Sequence, residues 1–161
     1  MGARKQMMII PSGKPKIWDK NPKLGSCEAK KAYTGTFHKL CQRYAEQFAD
    51  DYVILSPKYG FLHPNDILEA TYDVRFNQKG VTKDTIQLDA LKAQWQALQL
   101  NNQEEVILLG GKKYGPLLEA ISEGKQSFAQ PLIGYSGIGV MQAHLKQAIL
   151  TNKELDAREH K

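Results

Sequence analysis

Four short runs of apolar residues alternate along the chain with segments of helical periodicity. A strand that is apolar throughout is buried on both faces, which is typical of a parallel sheet covered by helices. The sequence therefore predicts an α/β domain with three layers, α/β/α, around a mainly parallel sheet of about four core strands. Such a fold is Rossmann-like. The four predicted strands are residues 6–10, 52–56, 106–109 and 131–133.

The first predicted helix begins near Thr36, where apolar residues recur at i, i+3, i+4 and i+7. Cys41 lies on the apolar face of this helix, and we expect its thiol to be part of the core. His38 lies on the flank of the same helix, and we expect it to be exposed. Similar patterns predict further helices over residues 85–100, 117–121 and 138–149.

The length of 161 residues suits one domain, which we place at residues 1–151, with a polar tail over 152–161. No apolar run approaches the roughly 20 residues that span a bilayer, and the N-terminus lacks the apolar core of a signal peptide. The cysteines, Cys27 and Cys41, form neither a disulfide framework nor a zinc-binding spacing. We therefore expect a cytoplasmic protein with no membrane partner, no metal site and no cofactor.

The net charge of +5 is concentrated at one end of the chain. Residues 1–31 contain eight basic and two acidic residues, whereas the remainder is close to neutral. A basic segment of this kind favours an acidic partner, namely nucleic acid or a phosphorylated small molecule. A solvated, lysine-rich loop is the alternative explanation, and the sequence leaves both open.

Each predicted strand is followed by glycine, serine and lysine residues. Ligands of open α/β sheets bind beyond the carboxyl ends of the strands, where glycines expose backbone amides and helix N-termini attract anions. We therefore predict an anion or nucleotide site there, although turns and surfaces also need these residue types. The motifs of P-loop and dinucleotide-binding proteins are absent. The candidate residues are Ser12, Gly13, Lys14, Ser56, Lys58, Tyr59, Gly60, Gly110, Gly111 and Lys112, with Gly134, Ser136, Gly137 and Gly139 on the fourth loop.

Asp73 is the candidate catalytic residue, because it follows Tyr72 in a polar segment expected to fold back over the site. Its carboxylate could act as a general base or orient a hydroxyl of a base or ribose. It could equally cap a turn or pair with Lys58 or Arg75.

Residues 54–67, followed by Tyr72 and Asp73, resemble the LSAKYGLLxPxxxIxxYD signature of an uncharacterised bacterial domain family. That family is similar to the YaaA-like peroxide-stress proteins. Weaker matches at residues 33–37, 44–46 and 106–114 extend the resemblance over most of the chain. Family members have a Cys-Ser pair after the first strand, where this chain has Pro11 and Ser12. No role of that cysteine is therefore carried over.

The resemblance implies an α/β fold related to nucleic-acid-binding or base-handling proteins, with a parallel sheet that is uracil-glycosylase-like, and it supplies no reaction. Three functions remain open from the sequence. The first is binding of nucleic acid or a nucleotide at the strand ends. The second is an enzyme acting on a nucleoside or modified base by glycosidic or transferase chemistry. The third is an accessory protein without catalysis. The oligomeric state is not predicted.

Overall fold

The computed structural model describes residues 6–98 and 105–156. Seven strands and five α-helices follow one another within these ranges, together with a 3-10 turn at Ile17–Asp19. In chain order the elements are β1 (Gln6–Pro11), β2 (Cys27–Glu28), α1 (Ala29–Ala32), α2 (Thr36–Phe48), β3 (Asp51–Ser56), β4 (Gly60–Leu62), β5 (Ile67–Leu68), α3 (Leu88–Ala97), β6 (Glu105–Leu108), α4 (Tyr114–Ser122), β7 (Phe128–Ala129) and α5 (Gly137–Thr151).

The central sheet has five strands in the order β4-β3-β1-β6-β7. Strands β3, β1, β6 and β7 are parallel to one another, and β4 pairs antiparallel with β3 at one edge. The predicted three-layer α/β/α fold with four parallel core strands is therefore confirmed. A separate two-stranded ribbon joins β2 to β5.

The two faces of the sheet carry two hydrophobic cores, because side chains alternate between the faces along each strand. Met8 and Ile10 of β1 point towards the layer of α2 and α5. Met7 and Ile9 point towards the layer of α3 and α4. Cys41 of α2 is fully buried in the first core, which confirms its predicted place there.

The fourth strand was predicted at the wrong place. Residues 131–133 form turns, in which the amides of Ile133 and Tyr135 donate to the carbonyls of Gln130 and Leu132. The pairing strand is β7, which lies just before them and pairs with β6. Leu132 is fully buried, so the apolar run marks a core position without being a strand. Strand β4 and the β2–β5 ribbon were not predicted.

The strand order places a topological switch point beside β1. From β1 the chain continues to β3 on one side and later crosses to β6 on the other side. The connections on the two sides of such a point diverge and leave a crevice beyond the carboxyl ends of the strands.

The C-terminal residues and the length of the helices bear on two of the predictions. Residues 157–161 of the predicted polar tail lie outside the described residues, but the tail does not begin as free chain. The amide of Leu155 donates to the Tyr44 hydroxyl at 3.0 Å, and its side chain packs against the core. Within the described ranges, no helix is long and apolar enough to cross a membrane.

Candidate functional site

A cavity of about 930 Å³ lies at the carboxyl end of the sheet. It is lined by the segments that follow β1 and β6 and by the residues leading into α5. It therefore occupies the crevice that the strand order creates between β1 and β6. Its volume lies in the upper part of the roughly 300–1,000 Å³ range of small-molecule and cofactor sites.

The charged side chains that line this cavity are almost all basic. Five are cationic and one, that of Asp73, is a carboxylate. An unbalanced group of cations around a partly apolar cavity attracts anions. The five cationic residues are Lys14, Lys16, Arg75, Lys112 and Lys113.

Three helices begin at this cavity. The first turns of α2, α4 and α5 contribute lining residues, among them Thr36, Tyr114 and Gly137. None of the three helices has a side-chain cap at its N-terminus. The first amides of an α-helix have no partner within the helix and carry the positive end of its dipole. Three such ends around one cavity add to the field of the five cations.

The loop after β1 is built around Lys16, a lysine with only 3% of its surface exposed. Its ammonium donates to the carbonyls of Gly13 at 3.2 Å and Lys14 at 3.0 Å. The same nitrogen lies 4.4 Å from the centre of the Tyr72 ring, a cation–π contact. Burial lowers the pKa of Lys16, and the negative charges of Asp73 and Asp19 oppose this shift.

A chain of buried hydroxyls lies beside this lysine. The hydroxyls of Tyr33 and Tyr72 share a hydrogen bond, and that of Tyr72 also bonds Ser56 at 2.8 Å. The Ser56 oxygen accepts the amides of Lys58 and Tyr59, both at 3.1 Å. Because both of its lone pairs are then occupied, Ser56 donates its own proton to Tyr72. Burial raises the pKa of Tyr33 and of Tyr72, so both stay protonated at neutral pH.

Residues 72–76 form one wall of the cavity and are fixed at both ends. Tyr72 is held by the hydroxyl chain, and Phe76 is buried in the second core. The Lys113 ammonium donates to the Phe76 carbonyl at 3.3 Å. Between these anchors, Asp73 and Arg75 are exposed side chains that line the cavity.

The rest of the lining is largely apolar. Phe37 and Ile138 occupy the first turns of α2 and α5, two helices that pack against each other. Ile138 is 57% exposed, although it is a large apolar residue. The cavity thus has a basic part and an apolar part, and it suits a ligand with both characters. The remaining apolar side chains are those of Val74, Phe76, Ile133 and Met141.

The structure brings together about half of the residues predicted to bind an anion. Those lining the cavity are Ser12, Gly13, Lys14, Gly111 and Lys112, together with the predicted catalytic residue Asp73 and, from the fourth loop, Gly134, Ser136 and Gly137. Their function stays a prediction.

The other predicted residues do not line the cavity. They are Ser56 at the end of β3, Lys58, Tyr59 and Gly60 after it, Gly110 after β6, and Gly139 within α5. Lys58 and Tyr59 form the turn between β3 and β4, which is tied together by Ser56. Gly60 has a φ of +81°, and a Cβ there would meet the Gln94 side chain at 2.0 Å. Gly110 is buried against the Tyr114 ring. Since β3 lies on the far side of β1 from β6, only the first residue of its loop, Pro57, lines the cavity.

Four basic lining residues were absent from the predicted site: Lys16, His38, Arg75 and Lys113. His38 was predicted to be exposed and is 1% exposed. Its Nδ1 donates to the carbonyl of Pro11 at 2.8 Å, because α2 packs its first turn against the end of β1. Burial lowers the pKa of His38, and its hydrogen bonds oppose this shift. The helical pattern alone could not show this contact with a strand end.

Among the described residues, no group of three or more histidine, cysteine, aspartate or glutamate side chains could hold a metal ion.

Comparison with known proteins places the chain in a family. A model of a family of unknown function, DUF6884, matches residues 19–147. The chain belongs to this family. It is also similar to the uncharacterised protein YfjM of Bacillus subtilis (strain 168), with 41% identity over 151 residues. That alignment covers 94% of this chain and 99% of YfjM. No solved structure matches the chain. The resemblance to an uncharacterised bacterial family is thus confirmed.

Proposed function

We propose that this protein binds a phosphorylated ligand of the nucleotide class in the cavity between β1 and β6. The observation that carries the proposal is the composition of the cavity lining. Five cationic side chains, three helix N-termini and a single carboxylate surround a space of about 930 Å³. Phosphate is the anion that such an arrangement commonly binds in proteins.

The apolar part of the cavity supports a ligand larger than inorganic phosphate. Phe37 and Ile138 lie at the helix N-termini, so a planar base could lie against them while its phosphate meets the amides and lysines. A nucleotide has both parts. A nucleic acid strand would additionally use the basic segment after β1, of which Lys20 and Lys23 are exposed outside the cavity.

Calorimetric titration at low salt tests this proposal, with AMP, inorganic phosphate and a 5′-phosphorylated single-stranded oligonucleotide as probes. We expect AMP to bind more tightly than phosphate. Lys112→Gln should weaken AMP binding about tenfold, the size of one charge-assisted hydrogen bond. Lys146→Gln is the control, since Lys146 is exposed on α5 and does not line the cavity. Absence of binding by every probe would contradict the proposal.

The oligonucleotide separates a nucleotide-binding protein from a nucleic-acid-binding protein. If the basic segment tracks a strand, affinity for the oligonucleotide should exceed that for AMP. It should also fall with salt at a log–log slope of about −0.7 per phosphate contact. Equal affinity for both probes would indicate that the cavity alone is used.

One observation favours a second function, an enzyme that acts on a nucleoside or modified base. Among the described residues, Asp73 is the single carboxylate lining the cavity, and its side chain is exposed. It could serve as the base, or stabilise the positive charge of an oxocarbenium-like transition state. Release of free base from a nucleotide, lost in Asp73→Asn, would support this function. An unchanged nucleotide after prolonged incubation would support binding without catalysis.

Two further expectations belong to the proposal. The similarity to YaaA-like proteins, carried by residues 54–67 with Tyr72 and Asp73, is consistent with a ligand related to nucleic acid. We also propose a reducing, cytoplasmic location, which is supported by the two free thiols, Cys27 and Cys41.

A further inference from the structure

Lys16 is a buried cation without a counter-ion of its own. Lysine is rarely buried completely unless its charge is paired, because transfer of an ammonium from water is costly. The ion pairs in the described part of the chain join Lys31 to Glu28 and Lys92 and Lys125 to Glu123, and none involves Lys16. Its direct partners, two carbonyls and a tyrosine ring, are dipolar or quadrupolar, and the carboxylates of Asp73 and Asp19 act on it only from beyond ion-pair distance.

The charge of Lys16 has two effects on the loop after β1. Its bonds to the carbonyls of Gly13 and Lys14 hold the loop after β1. Because these two carbonyl oxygens face the ammonium, they do not repel an anion in the cavity. Lysine has three N–H donors, and the carbonyls occupy two of them.

We propose that Lys16 is the central cation of the site: it holds the Gly13–Lys14 loop and takes the anionic group of the ligand as its counter-ion. This inference rests on the proposed function and adds a residue to it. A phosphate dianion fits the Lys16 ammonium, because it supplies both a negative charge at ion-pair distance and an acceptor for the third N–H.

The surroundings of Lys16 predict how binding depends on pH. The groups facing it are the carboxylates of Asp73 and Asp19, the lysine Lys14, and the rings of Tyr33 and Tyr72. The Lys58 ammonium also lies 6.0 Å from the centre of the Tyr72 ring. Burial outweighs the two carboxylates, and the pKa of Lys16 is therefore below that of an ordinary lysine. A ligand that binds only the charged amine must lose affinity as the pH rises through that pKa.

The experiment compares AMP affinity between pH 7 and about 10.5, where the phosphate remains a dianion. Burial and Arg75 also lower the pKa of Lys113, so both proteins compared carry Lys113→Arg. One of them carries Lys16→Arg in addition, because a guanidinium keeps its charge over this range. Because burial holds the pKa of Lys16 below the usual 10.5, we expect AMP affinity to fall at least about twofold more with Lys16 than with arginine. Identical pH profiles would overturn the proposal, since a purely structural lysine would not affect this slope.

A second pair of variants tests the charge at neutral pH. Lys16→Met keeps the stem and removes the charge, and we expect AMP affinity to fall at least about tenfold. Lys20→Met is the control, because Lys20 is exposed in the same loop and does not line the cavity. If Lys16→Met does not fold, the pH profiles still decide. Wild-type affinity in folded Lys16→Met would overturn this inference alone. Absence of AMP binding by the wild-type protein would overturn the proposed function.

Discussion

Tyr72→Phe removes one oxygen from the centre of the buried hydroxyl chain and leaves the ring in place. Ser56 then loses the acceptor for its proton, because its oxygen already accepts two amides. Tyr33 loses its hydroxyl partner as well. Ser56 and Tyr33 are 0% and 1% exposed, so water cannot replace these bonds without a rearrangement.

The expected cost follows from the two buried groups left without partners. A buried polar group that loses its hydrogen bond costs about 1–3 kcal/mol. Because the Tyr33 hydroxyl can rotate, we expect about 2–3 kcal/mol in total for the free energy of unfolding. For a chain of this length, each kcal/mol corresponds to about 2–4 °C in Tm. The melting temperature of Tyr72→Phe should therefore fall by about 4–12 °C.

Urea denaturation and thermal melting of Tyr72→Phe measure this change, and an unaltered m-value would show that the denatured state is the same. Tyr59→Phe is the matched control. The centres of the Tyr59 and Tyr72 rings lie 5.5 Å apart, but the Tyr59 hydroxyl makes no hydrogen bond to another described residue. A Tyr72→Phe protein as stable as Tyr59→Phe would refute the idea that the hydroxyl chain fastens residues 72–76 to the sheet.

Two further variants test other positions. Gly60→Ala should lower the free energy of unfolding by about 3 kcal/mol. Alanine is strained at a φ of +81°, and its Cβ would displace the Gln94 side chain. That side chain forms hydrogen bonds with the backbone of Tyr59 and Phe61. Gly111→Ala, where a Cβ meets no atom within 4 Å, should melt like the wild type, and equal melting of both variants would contradict this reasoning. Asp73→Asn should strengthen AMP binding about threefold by removing a competing negative charge. Calorimetry showing weaker binding would instead indicate that Asp73 contacts the ligand.

The layers of the fold could be predicted from the sequence because they depend on local patterns. Uniformly apolar runs such as residues 52–56 indicate strands buried on both faces, and the helical spacing of Leu40, Cys41 and Tyr44 indicates one buried helix face. The fourth strand could not be located in this way. Residues 128–129 and 131–133 are both apolar, and only pairing with β6 distinguishes them.

Which residues line the cavity depends on the order of the strands in the sheet, and local sequence patterns do not reveal that order. The loops after β1 and β3 carry similar glycines and lysines, yet these residues line the cavity only in the loop after β1, and the loop after β3 contributes Pro57 alone. Lys16 and Lys14 are likewise two lysines of one basic segment. One is buried by carbonyls and a ring, and the other is exposed. Charge counting predicted the basic segment and could not distinguish the buried lysine from the exposed one.

The central claim is that the phosphate of the ligand meets the three helix N-termini between β1 and β6. A titration of ¹⁵N-labelled protein with AMP, followed by amide chemical shifts, tests it most directly. The largest shifts are expected at the first turns of α2, α4 and α5 and at Gly13 and Lys14, which line the cavity. Shifts confined to the turn of Lys58 and Tyr59, or no shifts at all, would contradict the claim.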